Sequence, residues 1–249
     1  MNNEPFFIIG CVRSGTTLLR DILRNHPNLA SPEETHFFRW ADVFGTPLCH
    51  AQLLNNNTLI KHREMDKIRE IEFKAMLQNS VSRGDLQKRY MARYIANNKL
   101  TATRWFDKTP QNVYGAGLIA SEFPRSKFVH IVRNPMNVVS SLRIGKIVKI
   151  ENLVGACNFW NEAAANIYIL KKAYPNRVYE LHYESLTANL YPEMEKLLTF
   201  LDESCDEHMF ETINTRTIEH SHEDLFTEEE IKTIKRLCGR WGKHYGYFN

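Results

Sequence analysis

The sequence has little of what marks a disulfide-stabilised, membrane-spanning or nucleic-acid-binding protein. Its five cysteines are odd in number, widely spread and without a C-x-x-C pair, which argues against a disulfide framework and a zinc site. No apolar run approaches the roughly 18 residues of a membrane-spanning helix, and no secretory signal pattern precedes the first strand. The formal net charge of +3 is too small to indicate nucleic-acid or membrane binding. We therefore expect a cytoplasmic protein.

The overall composition is that of an ordinary globular protein. A chain of 249 residues with 43% hydrophobic and 24% charged side chains can bury one generous core. It contains no internal repeat and no low-complexity linker, so we expect one domain over residues 1–249. The sequence does not indicate an oligomeric state.

Strands and helices alternate along most of the chain. An apolar strand begins at Phe6, and this alternation predicts an α/β fold in which a P-loop-like parallel sheet is flanked by helices. Residues 42–57 look irregular and 60–97 have helical spacing, so about 42–100 is expected to form a helical excursion. The other predicted elements are strands at 127–132 and 177–182 and helices at 16–25, 135–142, 154–173, 189–202 and 227–240.

The most informative stretch is the loop after the first strand. Gly10 and Gly15 have the Gly-x4-Gly spacing of a P-loop and allow a sharp turn that exposes backbone N–H groups at a helix N-terminus. Ser14, Thr16 and Thr17 add hydroxyl donors. A glycine-rich turn can also exist without a ligand, but these side chains favour an anion site.

The loop differs from that of a kinase. Thr16 stands where the P-loop lysine is expected, and the cation is Arg13 inside the loop. A P-loop NTPase also needs Mg²⁺ held partly by an Asp that ends a neighbouring strand. Here the strand at 127–132 ends in Arg133, and Ser141 follows about two helical turns into the next helix. A guanidinium and a hydroxyl in this arrangement suit a second, separate phosphate.

These two motifs resemble those of the sulfotransferases that use 3′-phosphoadenylyl sulfate (PAPS). The 5′-phosphosulfate loop of that family resembles Arg13-Ser-Gly-Thr-Thr, and its 3′-phosphate motif resembles Arg133-Asn-Pro-x5-Ser141. The resemblance covers most of the chain except about 42–100. Further segments are similar to the protein-tyrosine and heparan sulfate branches: His26-Pro27 and Glu33-Glu34-Thr35 for the first, and Glu34–Phe38 and Asp107–Pro110 for the second.

The resemblance implies a donor site without a metal. PAPS would be the co-substrate, and adenosine 3′,5′-bisphosphate would be the product. Tyr183 is similar to a tyrosine near the adenine in the protein-tyrosine branch. The expected donor-binding residues are Arg13, Ser14, Gly15, Thr16 and Thr17 for the phosphosulfate, Arg133 and Ser141 for the 3′-phosphate, and Tyr183 for the base.

The same resemblance implies the catalytic groups. Both branches have their catalytic glutamate where this sequence has Glu34, so Glu34 is the expected general base toward an acceptor hydroxyl. Lys108 matches a lysine that contacts the donor, and with Arg13 it is expected to stabilise charge on the leaving phosphate oxygen. Asp107 is expected to orient Lys108, and His36 is the rival base.

The sequence thus predicts a PAPS-dependent sulfotransferase that acts on a hydroxyl of a small molecule. A P-loop kinase for a small molecule or nucleotide, and a non-catalytic nucleotide-binding protein, stay open as alternatives. Residues 42–100 are expected to cover the acceptor side, and no motif in them identifies the acceptor. The C-terminal region lacks the Arg-Lys-Gly segment that many cytosolic sulfotransferases use for the 3′-phosphate, which leaves Arg143 and Lys146 as alternative helpers.

Overall fold

Five parallel strands form the centre of the structure. The computed structural model describes residues 4–98, 100–145, 148–210, 213 and 225–249, so Lys146 lies outside the described residues. The sheet has the strand order β2-β3-β1-β4-β5. Its strands are β1 (Phe6–Ile9), β2 (Leu29–Ala30), β3 (Arg104–Lys108), β4 (Lys127–Val132) and β5 (Val178–His182).

Helices cover both faces of this sheet, which confirms the predicted α/β class. They are α1 (Thr16–Leu23), α2 (Pro47–Asn55), α3 (Asn57–Met65), α4 (Glu70–Asn79), α5 (Arg83–Asn97), α6 (Ala116–Glu122), α7 (Pro135–Ile144), α8 (Leu153–Ala173), α9 (Tyr183–Ala188), α10 (Leu190–Leu201), α11 (Glu228–Leu237) and α12 (Gly239–His244). None of these described helices is long and apolar enough to cross a membrane.

The core has two parts, one on each face of the sheet. Phe7 and Ile9 of β1 pack into a cluster with residues of α5, α7, α8 and α12. Phe6 and Ile8 pack on the opposite face into a cluster with residues of α1, α9 and α10. This division follows from the alternation of side chains along a strand, and it explains why every residue of β1 is apolar and buried.

The register of β1 brings the functional segments to one edge. Ile8 lies opposite Lys108 of β3, and Ile9 lies opposite His130 of β4. The last residue of β4, Val132, lies opposite His182 at the end of β5. Because all strands run in the same direction, the residues that follow them meet at the carboxyl edge of the sheet, where α/β proteins bind their ligands.

The excursion is helical over more of its length than the sequence pattern indicates. The helices α3, α4 and α5 occupy most of 57–97, as predicted, and Ser82 caps α5 by accepting a hydrogen bond from the Asp85 N–H. Residues 47–55 form α2, so the expectation of irregular structure there is wrong. Thr46 caps this helix and Pro47 occupies its first turn, which are two ordinary signals of a helix start.

The other differences lie in short elements. The strands β2 and β3 and the helices α6 and α9 were not predicted from the sequence. The helix predicted at 227–240 is divided at Cys238 into α11 and α12. Strand β4 has the predicted bounds, and α8 begins one residue before the predicted start.

Two neighbouring glycines provide a matched test of the packing beside α6. A Cβ atom at Gly115 would lie 2.0 Å from the carbonyl oxygen of Phe38, whereas at Gly117 it would meet no atom within 4 Å. We expect Gly115→Ala to lower the free energy of unfolding by about 1–3 kcal/mol, because a backbone carbonyl cannot rotate away. Gly117→Ala should leave it unchanged or raise it by up to about 1 kcal/mol, because alanine favours the helix. Urea denaturation measures both, and equal losses would contradict the packing.

Candidate active site

The loop between β1 and α1 has the backbone conformation of an anion cradle. Gly10, Arg13 and Gly15 have positive φ angles of 149°, 70° and 92°. Gly15 precedes α1 and has no side chain, so it cannot cap the N–H groups of the first helical turn. A Cβ atom at Gly15 would lie 2.3 Å from the ring of Tyr183. The close approach of loop and ring therefore requires glycine.

Two polar atoms at this loop lack a partner. Ser14 is 1% exposed, and its Oγ has no hydrogen-bond partner in the part of the chain that the structure describes. The same holds for the buried Nε of Arg133. Buried polar atoms are nearly always hydrogen-bonded in folded proteins. Unpaired donors beside a glycine-bounded loop fit an anionic ligand.

The two motifs found in the sequence lie against each other. The Nε of Arg13 donates to the Oγ of Ser141 at 2.8 Å, and a guanidinium nitrogen of Arg133 donates to the Arg13 carbonyl oxygen at 3.3 Å. The Arg133 guanidinium also lies 4.3 Å from the centre of the Tyr183 ring. The structure thus joins the glycine-bounded loop and the segment from Arg133 to Ser141 into one positively charged surface.

The C-terminal segment supports this surface through a tyrosine. The Tyr247 hydroxyl donates to Glu184 at 2.8 Å, and Glu184 accepts a hydrogen bond from the N–H of Asn134 at 2.9 Å. From α8, the indole N–H of Trp160 donates to the Arg133 carbonyl oxygen at 3.2 Å. These contacts fix the turn after β4. These contacts could not be predicted from the sequence, because the partners are far apart along the chain.

Glu34 lies between two basic groups at the end of β3. Its carboxylate forms a short ion pair with the Lys108 ammonium, and Lys108 is 2% exposed. The Lys108 Nζ also lies 3.3 Å from the Thr17 hydroxyl at the start of α1. On the other side, the Nε2 of His36 lies 3.2 Å from the Oε2 of Glu34. The expected base and the expected leaving-group lysine are therefore in direct contact.

These neighbours determine the charge of Glu34. Burial alone would raise the pKa of this carboxyl, but the hydrogen bond from His36 and the charges of Lys108 and His36 outweigh it and hold the pKa at about 2. Glu34 is consequently ionised throughout the neutral range. It is also a weak base for as long as both neighbours remain in contact with it.

Glu33 has a different partner set from its neighbour Glu34. Its carboxylate pairs with Arg20 of α1 at 2.6 Å and with Arg24, the residue directly after α1, at 3.2 Å. Burial acts to raise the pKa of Glu33, but these two guanidinium groups outweigh it and lower the pKa. Glu33 thus anchors the segment to α1 while Glu34 reaches Lys108.

Asp107 does not contact Lys108, contrary to the expectation from the sequence. It accepts hydrogen bonds from the Thr35 hydroxyl at 2.6 Å and from the Asn112 amide at 3.1 Å. Adjacent residues of a strand point to opposite faces, which separates Asp107 from Lys108. Asp107 and Thr109, whose Oγ1 accepts from the Thr35 N–H at 3.0 Å, hold the segment that carries Glu34.

The remaining charged groups provide neither a further phosphate-binding cation at Arg143 nor, within the described residues, a metal site. Arg143, one of the alternative phosphate helpers, pairs with Glu230 at 2.7 Å. Within the described residues, no group of three or more His, Cys, Asp or Glu side chains could hold a metal ion.

The family of this chain is shown by a sequence comparison. A sequence model of the sulfotransferase family matches residues 5–207. The chain belongs to the sulfotransferase family. The matched range contains Glu34, Lys108, the glycine-bounded loop, the segment from Arg133 to Ser141 and the whole described sheet.

The curated relatives are distant and mostly longer. A putative protein-tyrosine sulfotransferase of Caenorhabditis briggsae is 23% identical over 243 residues, which cover 92% of this chain and 72% of that protein. The protein-tyrosine sulfotransferase of Drosophila melanogaster is 26% identical over 79% of this chain. The chain spans about 37% of that Drosophila protein, and 28–59% of four others that it matches.

Solved sulfotransferase structures have the same fold. The sulfotransferase domain of the Synechococcus PCC 7002 olefin synthase superimposes with a TM-score of 0.67 at 22% identity, covering 96% of this chain and 88% of that one. Mouse sulfotransferase SULT7A1 in complex with PAP superimposes with a TM-score of 0.54 at 12% identity, covering 97% and 84%. At these identities the likeness concerns the fold.

The contact between His36 and Glu34 yields a prediction about charge. We expect His36→Asn to raise the Glu34 pKa above about 2, because the hydrogen bond from the imidazole is lost. Asparagine suits the backbone at this position, where φ is 56°. Carboxyl ¹³C NMR titration measures the pKa, and Glu34→Gln assigns the resonance.

The matched control is His62→Asn. The Nδ1 of His62 contacts the backbone carbonyl oxygen of Glu34 at 2.8 Å, so its removal should move the carboxyl pKa less. The stability linked to Glu34 is present above the unfolded-state pKa of about 4.3 and is lost as the pH falls toward the folded value near 2. An equal Glu34 pKa in His36→Asn and in the unsubstituted protein would contradict the assigned contact.

Proposed function

We propose that this sulfotransferase transfers a sulfuryl group from PAPS to a hydroxyl of a small-molecule acceptor and releases adenosine 3′,5′-bisphosphate. One observation carries the proposal: the carboxyl edge of the sheet gathers Arg13, Lys108 and Arg133 around a glycine-bounded loop, with an ionised Glu34 on Lys108. The PAP complex of the mouse neighbour supports the nucleotide assignment. We also propose that residues 1–249 act as one domain, with about 42–100 on the acceptor side.

The donor-binding roles follow from the contacts at the loop. The donor supplies the sulfuryl group and two phosphates, and residues 13–17 would hold its phosphosulfate with backbone and hydroxyl donors. Arg133 and Ser141 would hold the 3′-phosphate, for which the unpaired Nε of Arg133 is available. Tyr183 packs between Gly15 and Arg133, and we assign the adenine to its vicinity.

The catalytic roles follow from the pair of Lys108 and Glu34. As the acceptor oxygen bonds to sulfur, Glu34 accepts the hydroxyl proton, the bond from sulfur to the 5′-phosphate oxygen breaks, and that oxygen keeps the electron pair. Lys108 and Arg13 stabilise the charge that develops there. When Lys108 turns toward this charge, Glu34 loses the cation that lowers its pKa and becomes a stronger base. The two roles therefore assist each other.

A kinase is a weaker interpretation of the same loop. Thr16 occupies the position of the P-loop lysine, and Arg133 directly follows β4 where a magnesium-binding carboxylate would be needed. A kinase predicts a thermal shift with ATP and Mg²⁺ and none with the bisphosphate. A non-catalytic protein predicts bisphosphate binding without turnover of any acceptor.

Two adjacent glutamates give a matched test of the base. We expect Glu34→Gln to lower kcat for sulfuryl transfer by at least about 10²-fold, because the amide cannot accept the proton. Bisphosphate affinity should stay within a few-fold. Glu33→Gln should keep the kcat and lower the melting temperature, because Glu33 pairs with Arg20 and Arg24. PAPS turnover and calorimetry measure the two effects, and unchanged turnover in Glu34→Gln would contradict the assignment of Glu34 as the base.

A pair of arginines tests the 3′-phosphate site. We expect Arg133→Gln to reduce the preference for adenosine 3′,5′-bisphosphate over 5′-AMP by about tenfold or more, since one charge-assisted hydrogen bond contributes about 1.5–3 kcal/mol. Arg143→Gln is the control, because that guanidinium pairs with Glu230. Calorimetric titration gives the ratio of the two affinities. The same ratio in Arg133→Gln and in the unsubstituted protein would contradict the site.

A further inference from the structure

A cleft beside the candidate active site is lined mainly by apolar groups. Its volume of about 580 Å³ lies in the range of small-molecule sites. One wall is residues 38–44, the second is residues 81–83 at the start of α5, and the third runs from Tyr114 to Glu122. No residue proposed above to bind the donor lines this cleft.

The first wall continues directly from the segment that carries Glu34. The ring of Trp40 lies 5.9 Å from the ring of His36, and His36 is 3.2 Å from the Glu34 carboxylate. The N–H of Arg39 donates to the His36 carbonyl oxygen at 3.2 Å. The charge of Glu34 also acts on Arg39 of this wall, so the proposed base lies near the wall although it does not line the cleft.

Arg39 is the unusual group in this wall. It is partly buried, and its guanidinium lies 5.1 Å from the centre of the Trp40 ring. It has no carboxylate within ion-pair distance among the residues that the structure describes, whereas Arg83 in the same cleft donates to the carbonyl oxygens of Phe37 and Asp42. Burial lowers the pKa of Arg39 and outweighs the nearby charge of Glu34, which acts to raise it, so the Arg39 charge is partly desolvated. A partly buried cation without a carboxylate in direct contact favours an anionic partner.

The lining limits the kind of anion. A guanidinium can bind a carboxylate with two parallel hydrogen bonds, and one cation balances one negative charge. The cleft is also lined by the acidic residues Asp42 and Glu122, which would repel a doubly charged group such as phosphate more strongly than a single carboxylate. Trp40, Phe44 and Leu118 offer apolar surface to the remainder of the ligand.

We propose that this cleft binds the acceptor, and that the acceptor is an apolar hydroxyl compound of aromatic size whose carboxylate pairs with Arg39. The inference rests on the proposed function, because it assigns the second substrate of that reaction. The hydroxyl lies toward Glu34 and the carboxylate toward Arg39. The apolar body packs on Trp40.

Two fluorescent naphthalenes test the charge preference. 6-Hydroxy-2-naphthoate carries both a hydroxyl and a carboxylate, and 2-naphthol lacks the carboxylate. We expect the naphthoate to bind at least about tenfold more tightly to the protein, as for one charge-assisted hydrogen bond to a partly buried group. Affinities are measured by fluorescence titration with and without saturating adenosine 3′,5′-bisphosphate. Equal affinities, or binding of neither compound, would overturn the cleft assignment.

Variants locate the preference in the cleft. Arg39→Gln should remove the preference for the naphthoate and leave the affinity for 2-naphthol unchanged. Arg39→Lys should retain part of this preference. Arg89→Gln, a substitution at an exposed arginine outside the cleft, should retain all of it. Gly117→Leu should weaken the binding of both compounds, because the leucine side chain would enter the open space beside α6. A preference that persists in Arg39→Gln overturns the proposal.

The proposed function fails by a separate measurement. If adenosine 3′,5′-bisphosphate does not raise the melting temperature, the donor assignment is wrong, whatever the naphthalenes do. If it does and the two naphthalenes bind equally, the acceptor assignment alone is wrong.

Discussion

The parallel register of β1 between β3 and β4 is the constraint on which the site depends. It places the end of β1, and with it the glycine-bounded loop, beside Lys108 on one side and beside the turn at Arg133 on the other. A shift of β3 by one residue would turn Lys108 to the opposite face and bring Asp107 toward the loop. The cation would then be replaced by a carboxylate at the position where the donor's charge is expected. Strand pairing thus sets the electrostatics of the edge.

The charge of Lys108 requires the segment that carries Glu34. A lysine with 2% exposure is costly to bury as a cation unless a counter-ion lies against it, and Glu34 is that counter-ion. The segment is held in turn by Asp107 and Thr109 through Thr35. His36 follows with a φ of 56°, a conformation that costs energy for a residue other than glycine. In this conformation the Nε2 of His36 lies 3.2 Å from the Glu34 carboxylate.

The sequence predicted those parts of the site that are contiguous in the chain. The loop at 10–17 and the pair Arg133 and Ser141 each contain their own spacing and chemistry, so they could be read directly. Strand β3 was missed because three of its five residues, Arg104, Asp107 and Lys108, are charged and suggest an exposed segment. They are buried because each charge or hydrogen-bonding group finds a distant partner: Glu203 for Arg104, Thr35 for Asp107 and Glu34 for Lys108. Such pairings depend on the tertiary fold and leave no periodic pattern.

The contacts of His36 bear on the choice between the two candidate bases. Its Nε2 faces Glu34, and its Nδ1 is buried without a partner in the described chain. One ring nitrogen thus lies against the carboxylate and the other is enclosed by protein. Such a ring can orient the Glu34 carboxylate and keep it ionised, so we assign His36 as a positioning residue. Trp40 and Arg39 continue from the same segment. In our proposal, the donor-binding groups lie at the carboxyl edge of the sheet and on the helices that follow it, while the base, its positioning residue and one wall of the acceptor cleft come from one stretch at 34–44. We therefore expect substitutions in that stretch beyond His36 to change the acceptor without disturbing the sheet edge proposed to hold the donor.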